Sequence, residues 1–222
     1  MKIKWYGHAC FRVEGDGIAI VTDPYTPKVA GLNPIDEPAD IVVMSSASDK
    51  FHSDASMVPG EPKILDALEI SSREQVEVNG VTFEALPTME SLTYKENPDE
   101  NAIYRFELEG ISMLHLGDLG NPLTDEQLAR LRGRVDVLLA LTGGPPTIEV
   151  EDLDRTIEEI GPRVVIPMHY QIPKLKLGIL PLEAFTSRYP ENVVTRIGAT
   201  EVELSVGTLP GALQIYVLEP AG

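Results

Sequence analysis

Apolar and polar residues alternate in short stretches through the first half of the chain, and the rhythm lengthens in the second. Residues 2–6, 10–14 and 18–22 read as three strands parted by Gly7-His8 and by Gly15-Asp16-Gly17, which predicts an antiparallel meander. The unbroken apolar run at 41–44 predicts a strand covered on both faces. Strands follow at 63–65, 75–78, 81–86, 102–108 and 111–116, with Asn79-Gly80 and Glu109-Gly110 as hairpin turns. Residues 87–101 are polar and aperiodic, and predict a loop.

From Thr124 the period becomes helical. Thr124-Asp125-Glu126-Gln127 has the form of a capping box and opens a helix that ends near Gly133. Residues 135–141 predict a buried strand. Residues 147–160 carry Val150, Leu153, Ile157 and Ile160 on one helical face, with Gly161-Pro162 as the stop. A buried strand at 163–167, a short helix at 182–189 and strands at 193–197, 201–204 and 213–218 complete the pattern. A meander, then strand and helix units, then strands again suits one α/β (α+β) domain over 1–222, two mixed sheets face to face with helices outside.

Composition changes this picture little. At 222 residues, 43% hydrophobic and 24% charged, the chain has the make-up of a globular protein with a substantial core. Its net charge of −17 argues against nucleic acid and anionic membrane surfaces as partners. A small-molecule ligand stays open as a partner, and the acidity itself reads as a solvated surface. The single cysteine, Cys10, predicts a small buried hydrophobe, and no apolar run approaches the roughly 20 residues of a membrane span. A cytoplasmic location is the default expectation.

The chemistry gathers where strands stop. Asp23, Ser46 with Ser48, Asp118, Gly143-Gly144 and His169 each follow closely on an apolar strand, and ligand sites collect at such carboxyl ends. One cleft is expected. An isolated Gly-Asp such as Gly117-Asp118 more often begins a turn than holds a metal. The four histidines, His8, His52, His115 and His169, form no closely spaced pair, and spacing alone makes none of them a ligand.

Trp5-Tyr6-Gly7-His8-Ala9-Cys10-Phe11, Thr22-Asp23-Pro24, His115-Leu116-Gly117-Asp118-Leu119-Gly120, Gly143-Gly144 and Ile166-Pro167-Met168-His169-Tyr170, in that order, resemble the metallo-β-lactamase superfamily. The branch of small zinc-dependent hydrolases similar to ascorbate-6-phosphate lactonase looks nearest. The resemblance implies a four-layer αββα sandwich. It also implies two metals held by a His-x-His-x-Asp-His loop, a later histidine, the aspartate of Gly-Asp and a last histidine. Asp118 and His169 match that set. The four loop ligands fall instead on Ser46, Ser48, Lys50 and Phe51, and the later histidine on Met89 or Glu90. Serine is a poor ligand, phenylalanine is none, and a lysine ammonium repels a dication.

Three readings follow. In the first, the fold has lost its metals, no cofactor binds, and Lys50 lies beside Asp118 to neutralise it; the protein is then inactive as a two-zinc hydrolase, or a non-catalytic binding or interaction protein. In the second, one divalent ion (Zn, Mn or Fe) sits on a rebuilt site of Asp118 and His169 with His52, Asp49 or Glu90, and hydrolyses an ester, lactone or phosphoester. In the third, Ser46 or Ser48 is a nucleophile with His52 or His169 as base. His8 and His115 are assigned to the inner structure around the cleft. Ser46, Ser48, Lys50, Glu90, His115, Gly143, Gly144 and Tyr170 are the expected pocket residues, and Trp5 and Phe11 are core.

Overall fold

The opening meander forms as its pattern predicts in a computed structural model of the chain, which describes residues 1–46, 50–73 and 75–221. Strands β1 (Lys2–Gly7), β2 (Cys10–Gly15) and β3 (Ile18–Thr22) pair antiparallel. After a short helix α1 (Pro27–Ala30), the apolar run becomes β4 (Ile41–Met44), parallel to β3 and to the edge strand β5 (Lys63–Asp66). Helix α2 (Ala67–Ser71) leads into β6 (Val76–Val78), β7 (Val81–Met89), β8 (Glu100–Leu108) and β9 (Ile111–His115), an antiparallel run. Asp16, Asn79 and Glu109 take left-handed backbone at φ 53°, 53° and 51°, each followed by a glycine at positive φ, which is the conformation a two-residue hairpin turn requires.

Helix α3 (Asp125–Leu131) starts with both arms of the capping box in place between Thr124 and Gln127. Strand β10 (Val137–Leu141), helix α4 (Val150–Ile160) and strand β11 (Val164–Met168) follow, with α4 burying Val150, Leu153, Thr156, Ile157 and Ile160 and stopping at Gly161. Helix α5 (Glu183–Thr186), then β12 (Val194–Arg196), β13 (Glu201–Glu203) and β14 (Gln214–Val217), close the chain.

One sheet has the order β13-β1-β2-β3-β4-β5 and the other β12-β14-β11-β10-β9-β8-β7-β6; both are mixed. They share one continuous apolar core, in which Trp5 and Phe11 are fully buried and Phe11 on the first sheet meets His115 on the second. This is the αββα architecture the resemblance implies. The expected loop at 87–101 is corrected at its ends. Pairing continues to Met89↔Glu100, because the backbone ladder runs past the last apolar alternation, so the loop is only 90–99. Helices α1 and α2 were not expected; at four and five residues they are too short to show a period. No helix among the described residues is long and apolar enough to cross a membrane.

Candidate metal centre

The parallel strands bring their carboxyl ends to one rim. Asp23 follows β3, Ser45 follows β4, Asp118 comes three residues after β9, Thr142 follows β10 and His169 follows β11. Cross-bonds tie the ends together: Asp23 N–H to Val43 O at 2.9 Å, Ala102 N–H to Ser45 O at 2.9 Å, Thr142 N–H to Met168 O at 2.9 Å, and His169 N–H to His8 O at 3.2 Å. The carbonyl of His8 also accepts from the Trp5 indole at 3.0 Å. His8, in the tight turn between β1 and β2, and Asp23 and His169, outside any hairpin turn, hold left-handed backbone (φ 52°, 40° and 52°). Such conformations cost on the order of 1–3 kcal/mol each and persist where the surroundings over-determine them, commonly at functional sites.

Three histidines from distant parts of the chain converge here. Ligand nitrogens of His8, His52 and His169 all lie within 4.8 Å of one another, and all three residues are buried. Their ring centroids are 4.2 Å apart for His8 and His169, and 4.9 Å for His8 and His52. Asp118 faces the group, with Oδ1 3.2 Å from His169 Nε2 and Oδ2 3.6 Å from His52 Nε2. Burial pushes the Asp118 carboxyl up, but His52 beside it and a hydrogen bond from His169 outweigh it and hold the acid ionised. Burial, with His169 and His52 beside it, drives the His8 imidazole well below its usual range, so it is neutral.

The donor set fits a divalent transition metal. Both ring nitrogens of His8, and Nδ1 of His169, are buried without a hydrogen-bond partner among the described residues, which is costly unless a ligand takes a lone pair from the ring. Imidazole nitrogens with a carboxylate are donors that zinc favours, and that iron or manganese tolerates. The expectation that no cofactor binds finds no support in this arrangement.

A surrounding layer fixes the set. Asp118 N–H donates to Asn101 Oδ1 at 2.8 Å, and Asn101 Nδ2 donates to Thr88 Oγ1 at 2.7 Å and Leu116 O at 3.3 Å. Asp23 accepts from the backbone and the hydroxyl of Ser45, both at 2.8 Å. Burial, with Asp118 adding to it, raises the Asp23 carboxyl well above its usual range against those two bonds. His115 lies 2.9 Å from Ala9 O through Nε2 and accepts the Gly117 N–H through Nδ1 at 2.9 Å, so neither nitrogen is spare. Burial holds it down at about 3, against the Ala9 carbonyl and with the help of His52. It serves the inner structure, as the sequence reading assigned.

Other expectations are revised. Lys50 was expected beside Asp118; its side chain is exposed and its charge acts on Asp54, because Phe51 and His52 take the inward places of the loop. The histidines are the partners of Asp118 instead. His8 was assigned to structure and belongs to the ligand group; as a lone histidine in a Gly-His turn it carried no spacing signal. Glu90 is buried but ion-paired with Lys95, and stands outside the ligand group. The contact of Ser46 Oγ is Ser53 Oγ at 3.4 Å, not a histidine base. Ser48 and Asp49 lie outside the described residues. Gly143 lies so close to His169 that a Cβ would meet the His169 carbonyl at 2.1 Å, Gly144 lies under Leu180, and Tyr170 packs on Trp5 at 5.2 Å between centroids.

Comparison with known proteins agrees with this picture. Residues 2–169 match the family model described as beta-lactamase superfamily domain. A UPF0173 protein of Pyrococcus furiosus is 32% identical over 187 residues, covering 77% of this chain and 83% of that one. A protein named UPF0173 metal-dependent hydrolase from Alkaliphilus metalliredigens is 30% identical over 193 residues, covering 77% and 85%. A crystal structure of a metallo-beta-lactamase superfamily protein from Thermotoga maritima superposes with a TM-score of 0.77 at 32% identity, over 98% of both chains. These matches speak to the superfamily and not to the ascorbate-6-phosphate lactonase branch.

Proposed function

The chain belongs to the beta-lactamase superfamily, among the UPF0173 proteins, and on that premise we propose that it is a hydrolase working with one divalent metal ion held by His8, His52, His169 and Asp118. The observation that carries this reading is the pair of His8 ring nitrogens, both buried and both without a partner among the described residues, inside a histidine group that surrounds an ionised aspartate. Among the described residues of the loop to which the resemblance assigns two metals, little is offered to a second ion, since Lys50 is exposed and Phe51 packs on His8 at 5.7 Å. A single ion is therefore the reading.

A divalent ion so held supplies Lewis acidity toward water and toward a substrate oxygen. His8, already neutral, offers its lone pair without first releasing a proton. Asp118 contributes the one negative charge of the set, and Asn101 fixes the backbone that carries it. Phe51 and the burial of all four donors keep bulk water from one side of the group. The reaction class is hydrolysis of an ester, lactone or phosphoester. For an ester, the oxygen of water bonds to the acyl carbon, the bond to the alcohol oxygen breaks, and the protons of water end on the alcohol and the released acid.

Elemental analysis of protein purified without chelator is expected to find about one equivalent of zinc, iron or manganese, lost in His8→Ala. Two equivalents, or none, would overturn the reading. Metal retained without turnover of any neutral or phosphorylated ester would turn it toward a binding protein.

A further inference from the structure

Five large apolar side chains are well exposed among the described residues: Ile64, Leu92, Tyr94, Leu180 and Val206. Three of them sit on two loops that abut the candidate centre. Loop 90–99, carrying Leu92 (63% exposed) and Tyr94 (54%), is seated on the turn that follows Asp118. Gly120 N–H donates to Met89 O at 3.1 Å, Asn121 Nδ2 to Glu90 O at 2.7 Å, and Leu92 N–H to Asn121 Oδ1 at 3.3 Å. The fit is so close that a Cβ on Gly120 would lie 2.0 Å from Ser91 N. Residues 169–182, carrying Leu180 (42% exposed), are seated on Gly143 and Gly144, with Leu180 N–H donating to Gly143 O at 2.8 Å. Tyr94 Oη donates to Glu149 Oε1 at 2.6 Å, so both loops are anchored to the 142–149 segment.

Charge on the same loops points the same way. The described cations on these two loops are Lys95, Lys174 and Lys176, with Lys50 on the segment that carries His52, and there is no arginine among them. Lys95 is paired with Glu90, Lys174 donates to Asn33 Oδ1 at 3.3 Å, Lys176 donates to Lys28 O at 3.4 Å, and the charge of Lys50 acts on Asp54. Glu90, Glu96 and Asp99 lie on loop 90–99, Asp54, Asp118 and Glu149 on the adjoining segments, and the molecule has a net charge of −17. Recognition of a phosphate or sulfate relies on Arg or Lys donors set toward the group, and here each lysine is directed to a neighbour. An exposed apolar patch beside a buried polar centre is the mark of a ligand groove.

We propose that Leu92, Tyr94 and Leu180 form a hydrophobic lip that takes the apolar arm of a neutral ester or lactone, an assignment of substrate class that rests on the hydrolase reading above. Phosphoesters are thereby set aside. The test uses two probes that cannot be hydrolysed and share one alkyl arm, N-hexylacetamide and hexylphosphonate, titrated into the whole protein by saturation-transfer NMR. The amide is expected to bind saturably and more tightly than the phosphonate. Leu180→Asp is expected to weaken it by about fivefold or more, and Leu92→Asp similarly, since each places a charge where the arm lies. Both sites are on the surface, and circular dichroism checks that each variant folds. Tighter binding of hexylphosphonate, or an affinity for the amide unchanged in both variants, would overturn the lip. Neither probe turns over, so this outcome stands apart from metal content in the same samples, which tests the hydrolase reading.

Discussion

At the scale of single residues, Asn101 shows how the centre is held. It is completely buried, and its Oδ1 would meet a Cβ on Gly117 at 2.4 Å, so the residue before Asp118 must be glycine for the carboxamide to reach the backbone. Asn101→Ala leaves the Asp118 N–H buried and unbonded, and should cost roughly 1–3 kcal/mol of stability and about 10–100-fold in zinc affinity. Asn101→Asp, which keeps an acceptor, should recover much of the affinity. Competition with a zinc-sensitive fluorophore, read beside urea unfolding, checks both; an affinity equal to that of the parent in Asn101→Ala would remove Asn101 from this role. Asp118 and His169 were read as candidate ligands because each follows an apolar strand and matches the ligand set that the resemblance implies, and His52 because it lies in the same loop as the family's other ligands. His8 and Asn101 were not, since one is a lone histidine in a turn and the other a polar residue at a strand start, and only tertiary geometry brings either to the site.

At the scale of elements, the strand ends are set by close backbone approaches, and Gly120 is the tightest. A methyl group there would fall 2.0 Å from Ser91 N and 2.5 Å from Glu90 C, both backbone atoms with nowhere to yield. Gly120→Ala should therefore lift loop 90–99 away from the Asp118 turn and lower stability by roughly 1–3 kcal/mol or more. Gly133→Ala is the control, having the same positive φ demand as other turn glycines but nothing within 4 Å of a Cβ, and it should cost only about 1 kcal/mol. A urea midpoint for Gly120→Ala equal to that of Gly133→Ala would show the approach to be softer than drawn. Most elements were readable because their period is their packing: the hairpin turns, the capping box of α3 and the buried face of α4 all stand where the pattern put them. Helices α1 and α2, and the last residues of β7, were not readable. There the chain follows local capping, such as Asp66 accepting from Leu68 N–H at 2.8 Å, or a continuing backbone ladder.

At the scale of the whole molecule, buried histidines and excess acid act on stability in different pH ranges. The folded His115 titrates at about 3 and an unfolded histidine near 6.5, so between these values the unfolded chain binds the extra proton. Its contribution is complete above about pH 6.5 and is lost as pH falls, by about 2 kcal/mol between pH 7 and pH 5. Carboxylates stay mostly ionised over that range, so relief of the net charge of −17 offsets little of the loss. Urea midpoints at pH 7 and pH 5 should differ accordingly, and the difference should narrow in His115→Gln, with the buried His8 still acting in the same direction; equal midpoints in the parent protein would contradict the buried neutral imidazole. One feature of the sheet order carries further. Strand β1 lies between β2 and β13, with Lys2 opposite Glu203 and Lys4 opposite Glu201, so one flank of β1 is completed by a strand synthesised long after it. Until β13 has been synthesised that flank stays open, guarded by its two lysines against wrongful pairing, and this side of the sheet closes only when the later strand arrives.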